Sequence, residues 1–265
     1  MVILSILFFI TAILYSSVGF GGGSTYLVLL LIWDIPYYIF PVIALFCNII
    51  VVTGNSINYV RAGNHNIKLL IPFLIGSIPL AFLGGTLVIN KEVFEFLLFF
   101  VLLIAGVLLL INNKSYIDEK IVIKKINFFI SIFIGSILGL ISGIVGIGGG
   151  IFLSPILFLL KADKPKNIVT TASLFILINS ISGAIGQLTK ETLLNQLILY
   201  LPLFIAVLIG GLLGNYLNLK IFSSRVLAIA TSLLVIFVAI RMGFRIFIYA
   251  ISKWVLKLLW LKLFN

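Results

Sequence analysis

Two glycine clusters are the parts of this sequence whose residues could bind a ligand. The first comprises Gly19 and residues 21–23, and the second comprises Gly146 and residues 148–150. A glycine break inside an apolar helix leaves backbone N–H groups without acceptors at the start of the half-helix that follows. Those amides carry the positive end of the helix dipole, so they can hold an anion without any charged side chain. The clusters therefore predict a site for a small anion that is built from backbone amides.

Neutral polar side chains concentrate beside these clusters and in the apolar run that follows each of them. Hydroxyl and carboxamide groups are costly in hydrocarbon unless they are paired or line a wet cavity. For any one of them, the alternative is a hydrogen bond that packs two helices together. The predicted substrate-binding residues combine the amides of the breaks with these side chains, and they are Gly21, Gly22, Gly23, Ser24, Asn48, Asn55, Gly148, Gly149, Gly150, Thr171, Ser173, Asn179 and Ser182.

The titratable residues exclude most catalytic chemistry. All seven carboxylates lie in loops or at the ends of apolar runs, and the one histidine, His65, lies in a polar loop. No cluster of His, Cys and carboxylate residues has the spacing of a metal site, and no serine in an apolar run has a His and Asp partner. The single cysteine, Cys47, excludes a disulfide framework. The sequence therefore predicts no catalytic residues, no metal and no cofactor, and it indicates that the protein is not an enzyme.

The composition requires a membrane around the chain. Of its 265 residues, 62% are hydrophobic and 9% are charged, and the mean hydropathy is +1.33. So few charges cannot cover the surface of a soluble domain. The net charge of +11 could suggest nucleic-acid binding, but in so apolar a chain it indicates loops that face anionic lipid. We expect an all-α, multi-pass protein of the cell membrane whose partners are the lipid bilayer and a small anion, and not nucleic acid. Homo-oligomerisation stays open.

Eight apolar runs cover most of the chain, and two of them are too long for a single crossing. Six runs have about the 20 residues that a spanning helix needs. Runs 2–32 and 126–160 are longer, and each is interrupted by one of the glycine clusters. Gly146 follows Gly19 by 127 residues, and this spacing indicates an internal repeat.

A pair of adjacent glycines also recurs, at almost the same spacing. Gly84 and Gly85 recur 126 residues later as Gly210 and Gly211. We interpret these doublets as packing positions, where alanine should be tolerated better than in the clusters. The predicted organisation is a membrane repeat at 1–112, a polar linker at 113–125, a second membrane repeat at 126–241 and a basic amphipathic tail at 242–265.

The distribution of the basic residues among the loops distinguishes two possible topologies. Eight simple crossings divide the Lys and Arg residues of the loops almost evenly between the two sides. If runs 2–32 and 126–160 instead bend at their glycines and return to the side they entered, only Lys91 and Lys190 face away from the other basic loop residues. The positive-inside rule favours this second arrangement. Each half is then a glycine-broken hairpin plus three transmembrane helices, an odd number of crossings, so the sequence predicts two inverted-topology repeats. The side on which the tail lies stays open.

The motifs around the second cluster resemble those of the TauE/SafE sulfite exporter family. The resemblance rests on Gly-Ile-Gly-Gly-Gly at 146–150 followed by Pro155, on Thr-Thr-Ala-Ser-Leu at 170–174, and on Asn179 with Ser180. Gly-Phe-Gly-Gly-Gly at 19–23 is its first-half partner, and the likeness covers residues 1–242. It implies a membrane protein of two homologous halves that moves sulfite or small organosulfur anions.

Three functions fit these observations. The first is a secondary transporter that exports sulfite or a small organosulfur anion, bound at the membrane midplane between the two glycine-broken hairpins. The second is an anion channel built on the same hairpins. The third is a non-transporting membrane scaffold or assembly factor whose basic tail recruits a partner. The resemblance favours the first. Because no proton carrier lies within the apolar runs, we expect the anion to move alone, driven by the membrane potential.

Overall fold

The computed structural model describes residues 1–17, 19–111, 123–190 and 194–217, together with positions 236, 240 and 243. These residues form helices and connecting segments and contain no strand, which confirms the all-α prediction for the described part of the chain. Most of the predicted linker, the eighth apolar run and the tail lie outside it. The helices are α1 (Val2–Ser16), α2 (Gly23–Ile32), α3 (Phe40–Arg61), α4 (Ile67–Thr86), α5 (Lys91–Ile111), α6 (Phe128–Val145), α7 (Gly150–Leu159), α8 (Pro165–Leu188), α9 (Leu194–Leu197) and α10 (Leu201–Leu217).

The described helices carry the surface of a membrane protein. Large apolar side chains point outward along them, among them Phe129 on α6, which is 77% exposed. A soluble protein rarely exposes so many of them together. Within the described ranges, five segments are long and apolar enough to cross a bilayer: Tyr37–Arg61, Ile67–Thr86, Phe128–Val145, Lys166–Leu188 and Ile198–Leu217. The chain is therefore a multi-pass membrane protein.

Both long apolar runs are divided at their glycine clusters, as the sequence predicts. In the first run α1 ends at Ser16 and α2 begins at Gly23, and in the second α6 ends at Val145 and α7 begins at Gly150. Gly19 has φ +84° and Gly146 has φ +91°. This left-handed backbone closes the end of a helix, and glycine adopts it without the steric cost that a Cβ brings.

The directions of the helices follow from which residues touch. Gly135 of α6 packs on Phe73 of α4, and Gly143 packs on Ala81, so these two helices run parallel. Along α8 the order is reversed relative to α3, because Ser173 lies beside Ser56 whereas Gly183 lies beside Leu45 further back on α3. The same reasoning over the remaining contacts gives α1, α3 and α10 one direction and α4, α6 and α8 the other.

Both ends of the second long run lie on the same side of the protein. The N–H of Lys124, just before α6, donates to the carbonyl of Lys161, just after α7, at 3.0 Å. Beside them, Nδ2 of Asn66 in the α3–α4 loop donates to Oδ2 of the buried Asp163 at 2.6 Å. A run that crossed the membrane once would separate its ends by about 30 Å. These contacts favour the hairpin arrangement over eight simple crossings.

We expect cysteines at positions 120 and 164 to be labelled from the same side of the membrane. Lys120 lies outside the described residues, four positions before Lys124, whereas Lys164 follows α7. The measurement is modification by a membrane-impermeant thiol reagent in oriented vesicles, in a Cys47→Ser background. Val88→Cys, in the exposed α4–α5 loop, is the control and should react only from the opposite side. Labelling of 120 and 164 from opposite sides would restore eight simple crossings.

Glycines let α4 and α6 pack backbone against backbone. A Cβ on Gly135, Gly139 or Gly143 would meet the carbonyl oxygen of a residue of α4. Close approach through small residues is the usual way in which helices associate in a bilayer. Gly84 is a packing position of the same kind, because a Cβ there would meet the carbonyl oxygen of Leu140, and that alanine is tolerated better here than in the clusters stays a prediction. Backbone atoms cannot move aside as the end of a side chain can.

Candidate functional site

The half-helices α2 and α7 begin in the same way. Their N-cap residues are Gly22, with φ +82°, and Gly149, with φ +75°. In each helix the third residue makes the first backbone bond: Thr25 donates to the Gly22 carbonyl at 3.0 Å, and Phe152 donates to the Gly149 carbonyl at 3.1 Å. The first two amides of each half-helix therefore have no acceptor within their own helix. Two positive helix ends are thus available to an anion.

Asn48 joins the two breaks. Its side chain is fully buried on α3, and Nδ2 donates to the Gly146 carbonyl at 3.4 Å. A Cβ on Gly23 would lie 2.7 Å from that Nδ2 and 3.0 Å from the Ile147 carbonyl, and a Cβ on Gly148 would lie 2.9 Å from the same Nδ2. Oδ1 of Asn48 accepts no hydrogen bond from the described residues. The two breaks, 127 residues apart in sequence, meet at this carboxamide.

A pocket opens between the breaks. It is narrow in this conformation, with about 10 Å³ open to a water-sized molecule, and Tyr15, residues 20–24, Ile147, Ile151 and Ile176 line it. One wall is therefore the first turn of α2, whose first two amides have no acceptor within that helix, and the other includes the three isoleucines. Apolar walls with a few polar groups are typical of small-molecule sites. The predicted residues Gly21, Gly22, Gly23 and Ser24 all line the pocket.

Tyr15 fixes the first hairpin. Its hydroxyl lies 2.7 Å from Oγ1 of Thr25 and 3.5 Å from Oγ of Ser24, which ties the end of α1 to the start of α2. This places Ser24 in a hydrogen-bonded group at the pocket wall. Tyr15 is a lining residue that the sequence reasoning missed, because that reasoning selected small polar residues next to the glycines. The available signal was its position in the last turn of α1.

The predicted residues of α8 lie on different faces. Ser173 lies 3.1 Å from Ser56 of α3, between the two helices. Ser182 donates to the Ile78 carbonyl of α4 at 2.7 Å, so its hydroxyl packs α8 against α4 and the structure does not bring it to the breaks. Ser180, which was not predicted as a site residue, does lie there: a Cβ on Gly148 would be 2.9 Å from its Oγ.

Three further predicted residues are buried with unpartnered polar atoms. Nδ2 of Asn179 donates to the Phe175 carbonyl at 2.9 Å, but its Oδ1 accepts nothing from the described residues. Within the described ranges, Oγ1 of Thr171 on α8 and both amide atoms of Asn55 on α3 also have no partner. Buried polar atoms are almost always hydrogen-bonded, so these atoms mark positions that water or a ligand could satisfy.

Three of the predicted glycines also pack the hairpins. A Cβ on Gly22 would touch the ring of Tyr15 at 3.2 Å, one on Gly149 would lie 2.9 Å from the ring of Phe175, and one on Gly150 would lie 2.7 Å from the Ala172 carbonyl. Ligand approach and close packing therefore both require glycine at the breaks.

The groups at the breaks are electrically neutral. The polar atoms there belong to backbone amides, carboxamides and hydroxyls, and the described residues bring no three His, Cys or carboxylate side chains together. Such a set can hold a compact anion through N–H and O–H donors, with the helix dipoles supplying the opposing charge.

Comparison with known proteins agrees with this architecture. The family model described as "Sulfite exporter TauE/SafE" matches residues 4–242. A "Probable membrane transporter protein" of Sinorhizobium fredii is 26% identical over 233 residues, which cover 87% of this chain and 93% of that protein. Another of that name from Methanocaldococcus jannaschii is 33% identical over 200 residues, covering 72% of this chain and 73% of its own length. No solved structure matches the chain. The chain therefore belongs to the TauE/SafE family, and it is a membrane transporter.

Proposed function

We propose that this transporter exports sulfite or a small organosulfur anion, and that the anion binds at the midplane between the two glycine breaks. The observation that carries the proposal is the meeting of both breaks at Asn48. Close to this one carboxamide lie Gly23 at the start of α2, Gly148 of the second break and the hydroxyl of Ser180. The dipoles of the helix ends and of the neutral polar groups stabilise the charge of the anion, and no covalent bond forms.

We further propose that residues 1–112 and 126–241 are inverted repeats. The helices that correspond in order along the two halves are α1 with α6, α3 with α8, and α4 with α10. The members of each pair run in opposite directions, which supports this symmetry. Inverted repeats with broken helices at their interface can expose one central site alternately to the two sides of a membrane. The family match and the names of the relatives support a membrane transporter in general. That its substrate is a sulfur anion is the more specific part of the proposal.

Export of an anion needs no coupling ion. A negative charge that leaves a cell with a negative interior gains about 2.3 kcal/mol per 100 mV, and a dianion gains about twice that. We therefore expect efflux from proteoliposomes loaded with labelled sulfite to accelerate when valinomycin and a potassium gradient make the interior negative. Vesicles with equal potassium on both sides are the control. Efflux that ignores the potential and requires a proton gradient would contradict uncoupled export.

The substrate class and the mode of transport can be tested separately. Purified protein should be screened by thermal unfolding against sulfite, sulfate, taurine and sulfoacetate, because a ligand that binds only the folded protein raises the unfolding temperature. Saturable efflux with counterflow supports a carrier, whereas ohmic currents in planar bilayers would indicate an anion channel. A protein that binds and moves none of these anions would instead fit a scaffold.

A further inference from the structure

Asn55 is a buried carboxamide that the midplane site does not use. Its side chain is fully buried on α3, and neither Nδ2 nor Oδ1 has a hydrogen-bond partner among the described residues. A carboxamide offers two donors and an acceptor, and burial without partners is costly in a membrane. A packing role does not account for it, because a packing carboxamide bonds to a neighbouring helix, as Asn58 does with Asn215 at 3.0 Å.

The position of Asn55 on α3 sets it apart from the midplane site. It follows Asn48 by seven residues, so it lies on the same face of the helix and about 10 Å further along the axis. Tyr59, one turn beyond it, contacts Gly19, since a Cβ there would lie 2.8 Å from the tyrosine ring. Asn48 and Tyr59 thus contact opposite ends of the first break, and Asn55 lies between them.

Along α3, the polar side chains lie toward the side of the basic loops. On that side Ser56 lies 3.1 Å from Ser173, and α3 ends at the exposed Arg61. On the other side of Asn48 the first seven residues of α3 are apolar, and Leu45 packs there against Gly183. An anion that leaves the midplane toward the basic loops therefore passes the polar side chains of α3, whereas the first seven residues of α3 offer it none.

We infer that Asn55 forms a second binding position for the transported anion, between the midplane site and the basic loops. The inference rests on the proposed function, because it takes the same anion as its ligand. Nδ2 of Asn55 replaces part of the hydration of the anion as it passes from Arg61 toward Asn48. Because Asn55 is wholly buried here, the path must widen at this level during transport.

The first test is Asn55→Leu, which keeps the volume and removes the hydrogen-bonding groups. We expect the initial rate of efflux to fall about ten-fold or more, as for the loss of a hydrogen bond to a charged ligand. The rise in unfolding temperature on adding the anion found in the screen should stay close to that of the unaltered protein, because the midplane site is intact. Ser77→Ala on α4 removes another buried and unpartnered hydroxyl and should leave the rate unchanged.

The second test determines from which side of the membrane position 55 can be reached, and this measurement needs no substrate. In a Cys47→Ser background, Asn55→Cys should react with a membrane-impermeant thiosulfonate added from the side of the basic loops and not from the other side. Leu45→Cys, on the apolar half of α3, should stay unreactive from the basic-loop side. Reaction of Asn55→Cys only from the opposite side, or equal reaction of both cysteines, would overturn the inference.

The two proposals fail in different ways. Normal efflux by Asn55→Leu, with anion binding lost in Asn48→Leu, would overturn the second position and leave the midplane site standing. If Asn48→Leu also bound and moved the anion normally, the proposed function itself would fall. Low efflux of Asn55→Leu together with a lowered unfolding temperature would indicate a structural role for Asn55 and would overturn the inference, since loss of an unpartnered buried amide should raise that temperature.

Discussion

Gly148→Ala will reduce transport by about 100-fold or more, because this glycine lies where the two breaks meet. Its backbone has φ +80°, a conformation that costs a residue with a Cβ about 1–2 kcal/mol. The new methyl group would lie 2.9 Å from both Nδ2 of Asn48 and Oγ of Ser180, and so would displace the two side chains that face the anion in our proposal. Losing two hydrogen bonds to a charged ligand costs about 3 kcal/mol, which is about a 100-fold loss of affinity.

Gly63→Ala is the matched control for Gly148→Ala. Gly63 has φ +73°, close to that of Gly148, but no atom lies within 4 Å of the position its Cβ would take. Gly63→Ala therefore has the same backbone strain, but its methyl group obstructs no neighbouring side chain. We expect its efflux to be close to that of the unaltered protein. The measurement is the initial rate of efflux from proteoliposomes with equal amounts of folded protein. Equal losses at both positions would show that backbone strain, and not approach to the site, makes the breaks sensitive.

Asn48→Asp will abolish anion binding while nearly preserving the shape of the side chain. A carboxylate here would face the bound anion, and two like charges 4 Å apart repel by about 4 kcal/mol at the effective dielectric constant of a protein. That energy is about a thousand-fold loss of affinity. We expect the anion found in the screen to leave the unfolding temperature of this variant unchanged, and efflux to fall below detection.

Asn90→Asp introduces the same charge at a distance from the breaks. Oδ1 of Asn90 accepts from the N–H of Val93 at 2.9 Å at the start of α5, and aspartate serves that capping role equally well. This variant should bind and transport normally. If Asn48→Asp bound the anion as tightly as Asn90→Asp does, the anion could not lie beside Asn48, and the midplane site would be wrong.

The sequence could predict the breaks because glycine acts through the backbone. The left-handed φ values at Gly19, Gly22, Gly146 and Gly149 are local requirements, and they appear in the sequence as glycine itself. The recurrence after 127 residues then indicated that two such breaks exist in one fold. In this chain the local backbone at the breaks is therefore readable from the sequence without any knowledge of the contacts.

The rotation of each helix about its axis could not be predicted in the same way. Ser180 and Ser182 are both hydroxyls in one polar run, yet one faces the second break and the other bonds to α4. Helices α3 and α8 have apolar residues on several faces, so hydrophobic periodicity does not reveal which face is inward. Gly84 shows the same limit, because only the contact with α6 reveals how close the two backbones come.

The contact between α1 and α10 has a consequence for how the chain is made. Ser16 donates to the Gly211 carbonyl at 2.8 Å, a bond between residues 195 positions apart. Ribosomes add about 5–20 residues per second, so the acceptor is synthesised about 10–40 s after the donor. Throughout that interval the first hairpin must reside in the translocation apparatus or in lipid with its α10 side uncovered. The N-terminal helix can therefore reach its final packing only after α10 has emerged.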